Sequence, residues 1–174
     1  MRPTKYSLEN GQSVVIREAA THDATDIERI VNSVASEKIF IVPDKSRKDW
    51  DKAIEDIKRR KSLITVALVN EKIVGMAHLV KGRFVKNEHV SELGILVLKD
   101  FRRKGIGTSM MKCLMDWAEK QRGLNKISLT VFATNKPAIE LYKKFGFSVE
   151  GVCRKHYRIK GSFVDDVTMA KFLR

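Results

Sequence analysis

The sequence is poor in the residues from which metal and thiol sites are built. Its two cysteines, Cys113 and Cys153, lie far apart with no metal-ligand spacing around them, and its four histidines (His22, His78, His89, His156) form no H-x-x-x-H or similar pair. No metal site is expected, and no nucleophilic triad is visible. Long hydrophobic runs are also missing: nothing approaches the roughly 20 apolar residues needed to span a bilayer. The N-terminus, MRPTKYSLENGQ, has no hydrophobic signal region, which points to a cytoplasmic protein that does not use a membrane. Acidic residues are in short supply, 21 Asp and Glu against 34 Lys and Arg, a formal charge of +13. A chain of 174 residues with 43% hydrophobic and 32% charged content otherwise reads as one ordinary globular domain, 1–174, with a substantial core.

The most informative stretch runs from Glu92 to Lys120. It opens on an apolar run, Leu93 to Leu98, suited to a buried strand. A polar corner follows, Lys99-Asp100-Phe101-Arg102-Arg103-Lys104, then Gly105 and Gly107. From Ile106 the apolar residues Ile106, Met110, Cys113, Leu114 and Trp117 fall at helical spacing, so Cys113 reads as a small core residue. Strand, glycine-rich turn, helix is an order that leaves the free N–H groups of a helix start beyond the strand end, an anion site. Arg102, Arg103 and Lys104 add charge there, and the stretch reads as a pyrophosphate cradle. A Walker A loop would need Lys-Ser/Thr after its last glycine, where Thr108-Ser109 stand. A dinucleotide fingerprint would need glycine at Met110 and an acidic residue ending the next strand, Lys126 to Phe132.

The rest of the chain supplies partners for that stretch. Ser13 to Arg17 reads as a strand after a turn at Asn10-Gly11. Thr21 or Asp23 can cap a helix that carries Ala24, Ile27, Ile30, Val31 and Val34 on one face. Ile39-Phe40-Ile41-Val42-Pro43 is an apolar loop, expected to pack on the core and line a pocket. Ser46-x-x-Asp49 resembles a capping box for a helix burying Trp50, Ala53, Ile54 and Ile57, closed by Lys58-Arg59-Arg60-Lys61. Leu63 to Val69 and Lys72 to Val80 read as a hairpin around Asn70-Glu71, and Gly82 to Glu88 as a polar loop. Gly123 is the expected C′ residue of the central helix. Asn135-Lys-Pro137-Ala138-Ile139-Glu140-Leu141-Tyr142-Lys-Lys-Phe145-Gly146-Phe147 reads as a capped helix with Ala138, Leu141, Tyr142 and Phe145 on its apolar face. The chain closes with a strand from Ser148 to Ile159, a Lys160-Gly161 turn and a strand through Met169.

Arg102-x-x-Gly105-x-Gly107 resembles the R/Q-x-x-G-x-G/A acetyl-CoA motif of the GNAT N-acetyltransferase superfamily. The string N-x-x-A-x-x-L-Y-x-x-F-G-F from Asn135 to Phe147 is similar to that family's last block and follows at the right distance. The closing HYRIKGSFVDDVTM hairpin looks like its ribosomal-protein acetylating branch. The resemblance spans nearly the whole chain. It implies an α/β fold with a mixed, mostly antiparallel sheet of about seven strands, a splayed central pair and about four flanking helices. It also implies acetyl-CoA as cosubstrate, with no metal, and acetyl transfer to a primary amine by direct attack in a ternary complex.

Carried over residue by residue, the resemblance assigns the pantetheine arm to the backbone of Ile95, Leu96 and Val97, with the Val97 N–H polarising the thioester carbonyl. It assigns the pyrophosphate to Arg103, Lys104, Gly105, Ile106, Gly107 and Thr108 beside Arg102, and further cofactor contacts to Asn135, Ala138 and Tyr142. Tyr142 matches the family's usual general acid at the thiol. Glu92, which starts the central strand, is the candidate base through water, with Glu88 and Asp165 as substitutes. The acceptor nitrogen must be neutral to attack, whether α-amine or lysine. It can belong to a protein or peptide or to a small molecule, and a basic protein should repel polyamines unless its pocket is locally acidic. By analogy, the Ile39 to Val42 loop and the closing hairpin flank the acceptor. No specific nucleic acid is expected, and a monomer or homodimer is. CoA accounts for part of the positive charge. Two other classes fit the same residues: a CoA-binding module without catalysis, and a basic nucleic-acid binder using the fold.

Overall fold

The computed structural model describes residues 1–9, 11–40 and 49–173. One eight-stranded sheet runs through the protein in the order β1-β2-β3-β4-β5-β6-β8-β7. Its strands are β1 (Thr4–Ser7), β2 (Ser13–Glu18), β3 (Leu63–Val69), β4 (Lys72–Lys81), β5 (Val90–Val97), β6 (Lys126–Phe132), β7 (Ser148–Ile159) and β8 (Ser162–Phe172). All neighbours pair antiparallel except β5 with β6. Four α-helices cover it: α1 (Ala24–Ser36), α2 (Trp50–Arg59), α3 (Ile106–Ala118) and α4 (Lys136–Lys144). The strand beyond those expected is β1, which lies antiparallel on β2.

The two faces of the sheet carry separate cores. Ile106, Met110, Met111 and Leu114 of α3 and Tyr142 of α4 pack with Leu93, Ile127, Leu129 and Val131 on one face. Ile27, Ile30 and Val31 of α1 and Ile54 and Ile57 of α2 pack with Ile64, Val66 and Met76 on the other. The helical spacing of these residues gives each helix one apolar stripe, and burial of those stripes drives the layering. The two tight hairpin turns β3–β4 and β7–β8 use a pair of left-handed residues, Asn70 and Glu71 (φ 48° and 64°) and Lys160 and Gly161 (φ 49° and 85°), a geometry whose twist matches that of the flanking strands.

Several local expectations change. The central strand begins at Val90, ahead of Leu93, because Val90–Glu92 form the only ladder with β6. The N-cap of α2 is Asp49, whose carboxylate accepts from the Lys52 N–H at 3.1 Å; Ser46 lies outside the described residues, as do Asn10 and Ile41 to Pro43. Asp23 occupies the cap position of α1, but its carboxylate accepts from Ala20 N (2.8 Å) and from both Arg17 nitrogens (2.6 and 2.8 Å). Gly123 is not the C′ residue of α3, which ends at Ala118, and sits in the turn after it. In α4, Ile139 is buried with Tyr142, while Ala138, Leu141 and Phe145 are partly buried against the same core.

Candidate active site

The site begins with an interruption in the sheet. β5 and β6 run parallel and stay in register only over Val90–Glu92 against Lys126–Ser128. β4 continues along the far side of β5 to Val97, and β8 along the far side of β6 to Phe132. The two strands therefore diverge like the arms of a V, and from Leu93 onward the inner side of β5 has no strand partner. A cleft of about 1320 Å³ occupies the gap. Val31, Val34 and Trp50 line it from the α1/α2 face, and Leu141 and Tyr142 from the α3/α4 face, so it passes through the sheet.

At the wide end the chain turns from β5 into α3. Gly105 takes φ +86° as the N-cap residue, a left-handed conformation that glycine adopts without a side-chain penalty. No side chain caps this helix. The first intrahelical bond is Ser109 N–H to Gly105 O at 2.9 Å, and among the described residues nothing accepts from the N–H groups of Ile106, Gly107 and Thr108. Three adjacent donors at the positive end of a helix dipole fit a phosphate. The Ile106 side chain is buried in the core, so that residue contributes only its backbone.

The three basic residues before the turn do different jobs. Arg103 lines the cleft. Lys104 does not; its ammonium lies 5.2 Å from the Phe101 ring centre. Arg102 lines the cleft, but its guanidinium is occupied. It donates to Glu37 at 2.8 and 2.5 Å and to Val97 O at 2.8 Å, and it lies 4.5 Å over the Phe40 ring. Its charge is neutralised by Glu37, and its bonds clamp the end of α1 to the end of β5.

α4 borders the cleft on the other arm. Asn135 caps it, accepting from Ala138 N at 3.3 Å. At the far end Gly146 N–H donates to Lys143 O (2.9 Å) and Phe147 N–H to Tyr142 O (3.1 Å), a Schellman closure. Tyr142 is held between these ends, 7% exposed, with its ring 6.0 Å from that of Phe147. Burial pushes its phenol up to about 12. The hydroxyl makes no hydrogen bond among the described residues, and Tyr142 lines the cleft.

The carboxylates divide. Glu92 lies at the closed end of the V, exposed, in register with Val80 and Ser128, and lines the cleft. Glu88 and Asp165 do not line it. Asp165 accepts from Lys155 N at 2.7 Å and fastens the irregular middle of β7. Asp166 does line the cleft and is 9% exposed; nothing in the sequence separates it from its neighbour, because only the register of β8 against β6 determines which of the pair faces the gap. His78, also lining the cleft, stands opposite Gly94. A Cβ at Gly94 would come within 2.4 Å of the imidazole, so glycine there lets the ring lie across β5.

Comparison with known proteins agrees with this geometry. The acetyltransferase (GNAT) family profile matches residues 27–147. The chain is 30% identical over 162 residues to the L-amino acid N-acetyltransferase AaaT of Escherichia coli K12, covering 91% of this chain and 97% of that protein. It is similar to the crystal structure of a GNAT-family acetyltransferase from Streptococcus pneumoniae (TM-score 0.85, 26% identity, 92% of this chain and 99% of that one). It is similar also to a ribosomal-protein-alanine N-acetyltransferase from Brucella melitensis (TM-score 0.81, 25% identity, 91% and 99%). The split sheet, the uncapped helix start and these matches together identify the chain as a member of the acetyltransferase (GNAT) family and an N-acetyltransferase.

Proposed function

We propose that the protein transfers an acetyl group from acetyl-CoA to a primary amine, on a protein N-terminus, a lysine or a small molecule, by direct attack in a ternary complex. The observation that carries this reading is a cleft open to both faces of the sheet, with a row of unpaired helix N–H groups at one end and the buried phenol of Tyr142 beside it. Two reactants can enter from opposite faces and meet in the gap, which suits a reaction needing no covalent enzyme intermediate.

Acetyl-CoA supplies the acetyl group already activated as a thioester. The N–H groups from Arg103 to Thr108 would bind its pyrophosphate, with the Arg103 and Lys104 charges nearby. The inner side of β5 at Ile95, Leu96 and Val97 would pair with the pantetheine arm, bordered by Asn135 and Ala138 of α4. The Val97 N–H would donate to the acetyl carbonyl oxygen as charge grows there. Arg102 acts through its clamp, orienting the Val97 end of β5. Tyr142 holds a proton on its hydroxyl throughout the neutral range and donates it as a hydrogen bond to the departing sulfur. Glu92, at the closed end of the V, would take the proton of the acceptor through water. At about 3.3 Å per strand residue, Glu92 and Val97 are about 17 Å apart along β5, so their contact with the same reaction is indirect.

Calorimetric titration with acetyl-CoA, alongside ATP and NAD, tests the reading first. Saturable binding of acetyl-CoA alone, followed by release of free thiol when amines are added, is the expected result. Equal binding of ATP or NAD, or no binding of acetyl-CoA, would sink it.

A further inference from the structure

Asp166 is the one buried carboxylate of the cleft that no local structure explains. Asp23, the other buried acid among the described residues, is fully paired with Arg17 and Ala20. Asp166 makes no hydrogen bond or ion pair among the described residues, although it is nine-tenths buried and lines the gap. Burial pushes its carboxyl above the usual range, and the nearby His156 pulls it partly back. A buried, unpaired acid costs stability. Such a cost is typical of a group whose partner arrives with a ligand.

Its position says which ligand. Glu92, Gly94 and Leu96 of β5 share one face of the sheet, and the registers put Ser128, Thr130, Phe132 and Asp166 on that same face. This is the α1/α2 face, opposite the start of α3. Counting from the Glu92–Ser128 pair, Leu96 on β5 and Phe132 on β6 each lie about 13 Å further along. Asp166, the register partner of Phe132, is therefore level with Leu96 at the open end, across the gap. Its neighbours are aromatic: the Phe132 and Tyr157 rings lie 5.0 Å apart, and His156 meets Tyr157 edge-on at 4.7 Å.

The balance of charge on this face is the reverse of the protein's. Of the described cationic side chains lining the cleft, Arg103, Lys136 and Lys144 belong to the helix starts and α4 on the other side. Arg102 is ion-paired to Glu37. Glu92 and Asp166 have no ion pair within 4.0 Å among the described residues; His78 is the remaining ionisable group lining that face, and the exposed His156 is the one cationic group acting on Asp166 from outside the lining.

We propose that Asp166 docks the ammonium of the acceptor at the open end of the cleft, where the nitrogen gives up its proton through water before it attacks, and that the enzyme therefore selects amines without a carboxylate beside the reacting nitrogen over free α-amino acids. This rests on the acetyl-transfer reading above. An approaching ammonium gains a desolvated counter-charge, aromatic walls and a route past an otherwise repellent basic surface. An α-carboxylate on the same carbon meets Asp166 as a like charge.

The test compares pairs of acceptors that differ only by that carboxylate, tyramine with tyrosine and phenethylamine with phenylalanine, in wild type, Asp166→Asn and Asp166→Glu. Wild type is expected to use each amine at least tenfold better in kcat/KM. Asp166→Asn should lose about tenfold on the amines, mostly through KM, and narrow the gap to the amino acids. Asp166→Glu should keep the preference, and acetyl-CoA affinity by calorimetry should change less than twofold in both. Because the burial cost disappears with the charge, Asp166→Asn should melt no lower than wild type at pH 7. A preference for the amino acids, or an Asp166→Asn enzyme with unchanged amine KM, would overturn the proposal. So would turnover of none of the four acceptors by an enzyme that binds acetyl-CoA. Failure to bind acetyl-CoA at all would instead remove the reading beneath it.

Discussion

A phenol held near 12 is a poor source of a full proton for a thiolate, whose conjugate acid is near 8.5 in a free thiol. In the proposed reaction, Tyr142 is better suited to stabilising charge on the sulfur by a hydrogen bond than to complete transfer. Replacing it with phenylalanine keeps the ring packing against Phe147 and removes only that donor. Steady-state kinetics of Tyr142→Phe should show kcat reduced roughly 10²–10³-fold, with calorimetric affinity for acetyl-CoA nearly unchanged; full activity would reassign the donor. Since the phenol stays protonated far above neutrality, any alkaline limb of the kcat profile below about pH 11 belongs to another group. Gly105 makes a second residue-scale case. There is room for a Cβ, whose nearest neighbour would be Leu8 Cδ2 at 3.8 Å, but the φ of +86° is left-handed. Gly105→Ala should therefore cost about 1–2 kcal/mol of stability by denaturant titration and weaken acetyl-CoA binding by twisting the N–H groups beyond it. Tyr142 and the glycine turn were legible because their signals are local. Asp166 was not: its doublet with Asp165 points the two carboxylates opposite ways, and only pairing between distant strands decides which is buried.

Elements are tied together here by two arginine–carboxylate pairs. Arg17 ends β2 and Asp23 starts α1. Although burial by itself raises the Asp23 carboxyl, hydrogen bonds from Arg17 and Ala20 outweigh it and hold it below the usual range. A depressed carboxylate stabilises the fold above its unfolded pKa near 3.9, and that contribution is lost as pH falls through the lower folded value. Asp23→Asn should thus lower the melting temperature at pH 7, and the difference from wild type should shrink below about pH 4 and vanish at stronger acidity. Arg102 and Glu37 form the other pair, 25% and 18% exposed, joining α1 to the end of β5. Glu37→Gln should cost about 1–3 kcal/mol in urea unfolding and raise KM for both substrates, because the clamp sits between the two halves of the cleft. Most elements could be read from spacing alone. The hairpins at Asn70-Glu71 and Lys160-Gly161 and the strand Lys126–Phe132 carry their turn chemistry and alternation in the sequence. The start of α2 and the end of α3 could not be read this way, since Ser46 competed with Asp49 for the cap in the sequence and α3 stopped at Ala118 without waiting for its glycine.

At the scale of the whole molecule, the charge of +13 and the split sheet dominate. No described helix is long and apolar enough to cross a membrane. Charge spread over the surface attracts any polyanion weakly, so binding to mixed duplex DNA should disappear between roughly 50 and 200 mM salt, as a fluorescence anisotropy titration would reveal; persistence at higher salt would point to a dedicated nucleic-acid surface. The fold class was legible because two motif blocks bracket the gap, one at each arm. The interruption itself was not derivable from strand patterning, since Leu93 to Leu98 reads the same whether paired on one side or two.

That interruption makes β5 an edge strand in the middle of a sheet. Edge strands offer unpaired peptide groups to any extended chain that fits, and here those of β5 from Leu93 onward face the cleft. Until it is filled, the molecule is in effect two half-sheets hinged at Val90–Glu92. The amides of Ile95 to Val97 should exchange with deuterium quickly in the free protein and slowly once acetyl-CoA is bound. With the gap filled, the two half-sheets should melt as one unit, with a gain of about 2.7 kcal/mol at a hundredfold excess over Kd. In mechanical terms, the proposed reading makes the cosubstrate the sheet's ninth strand, to be removed and replaced at each turnover.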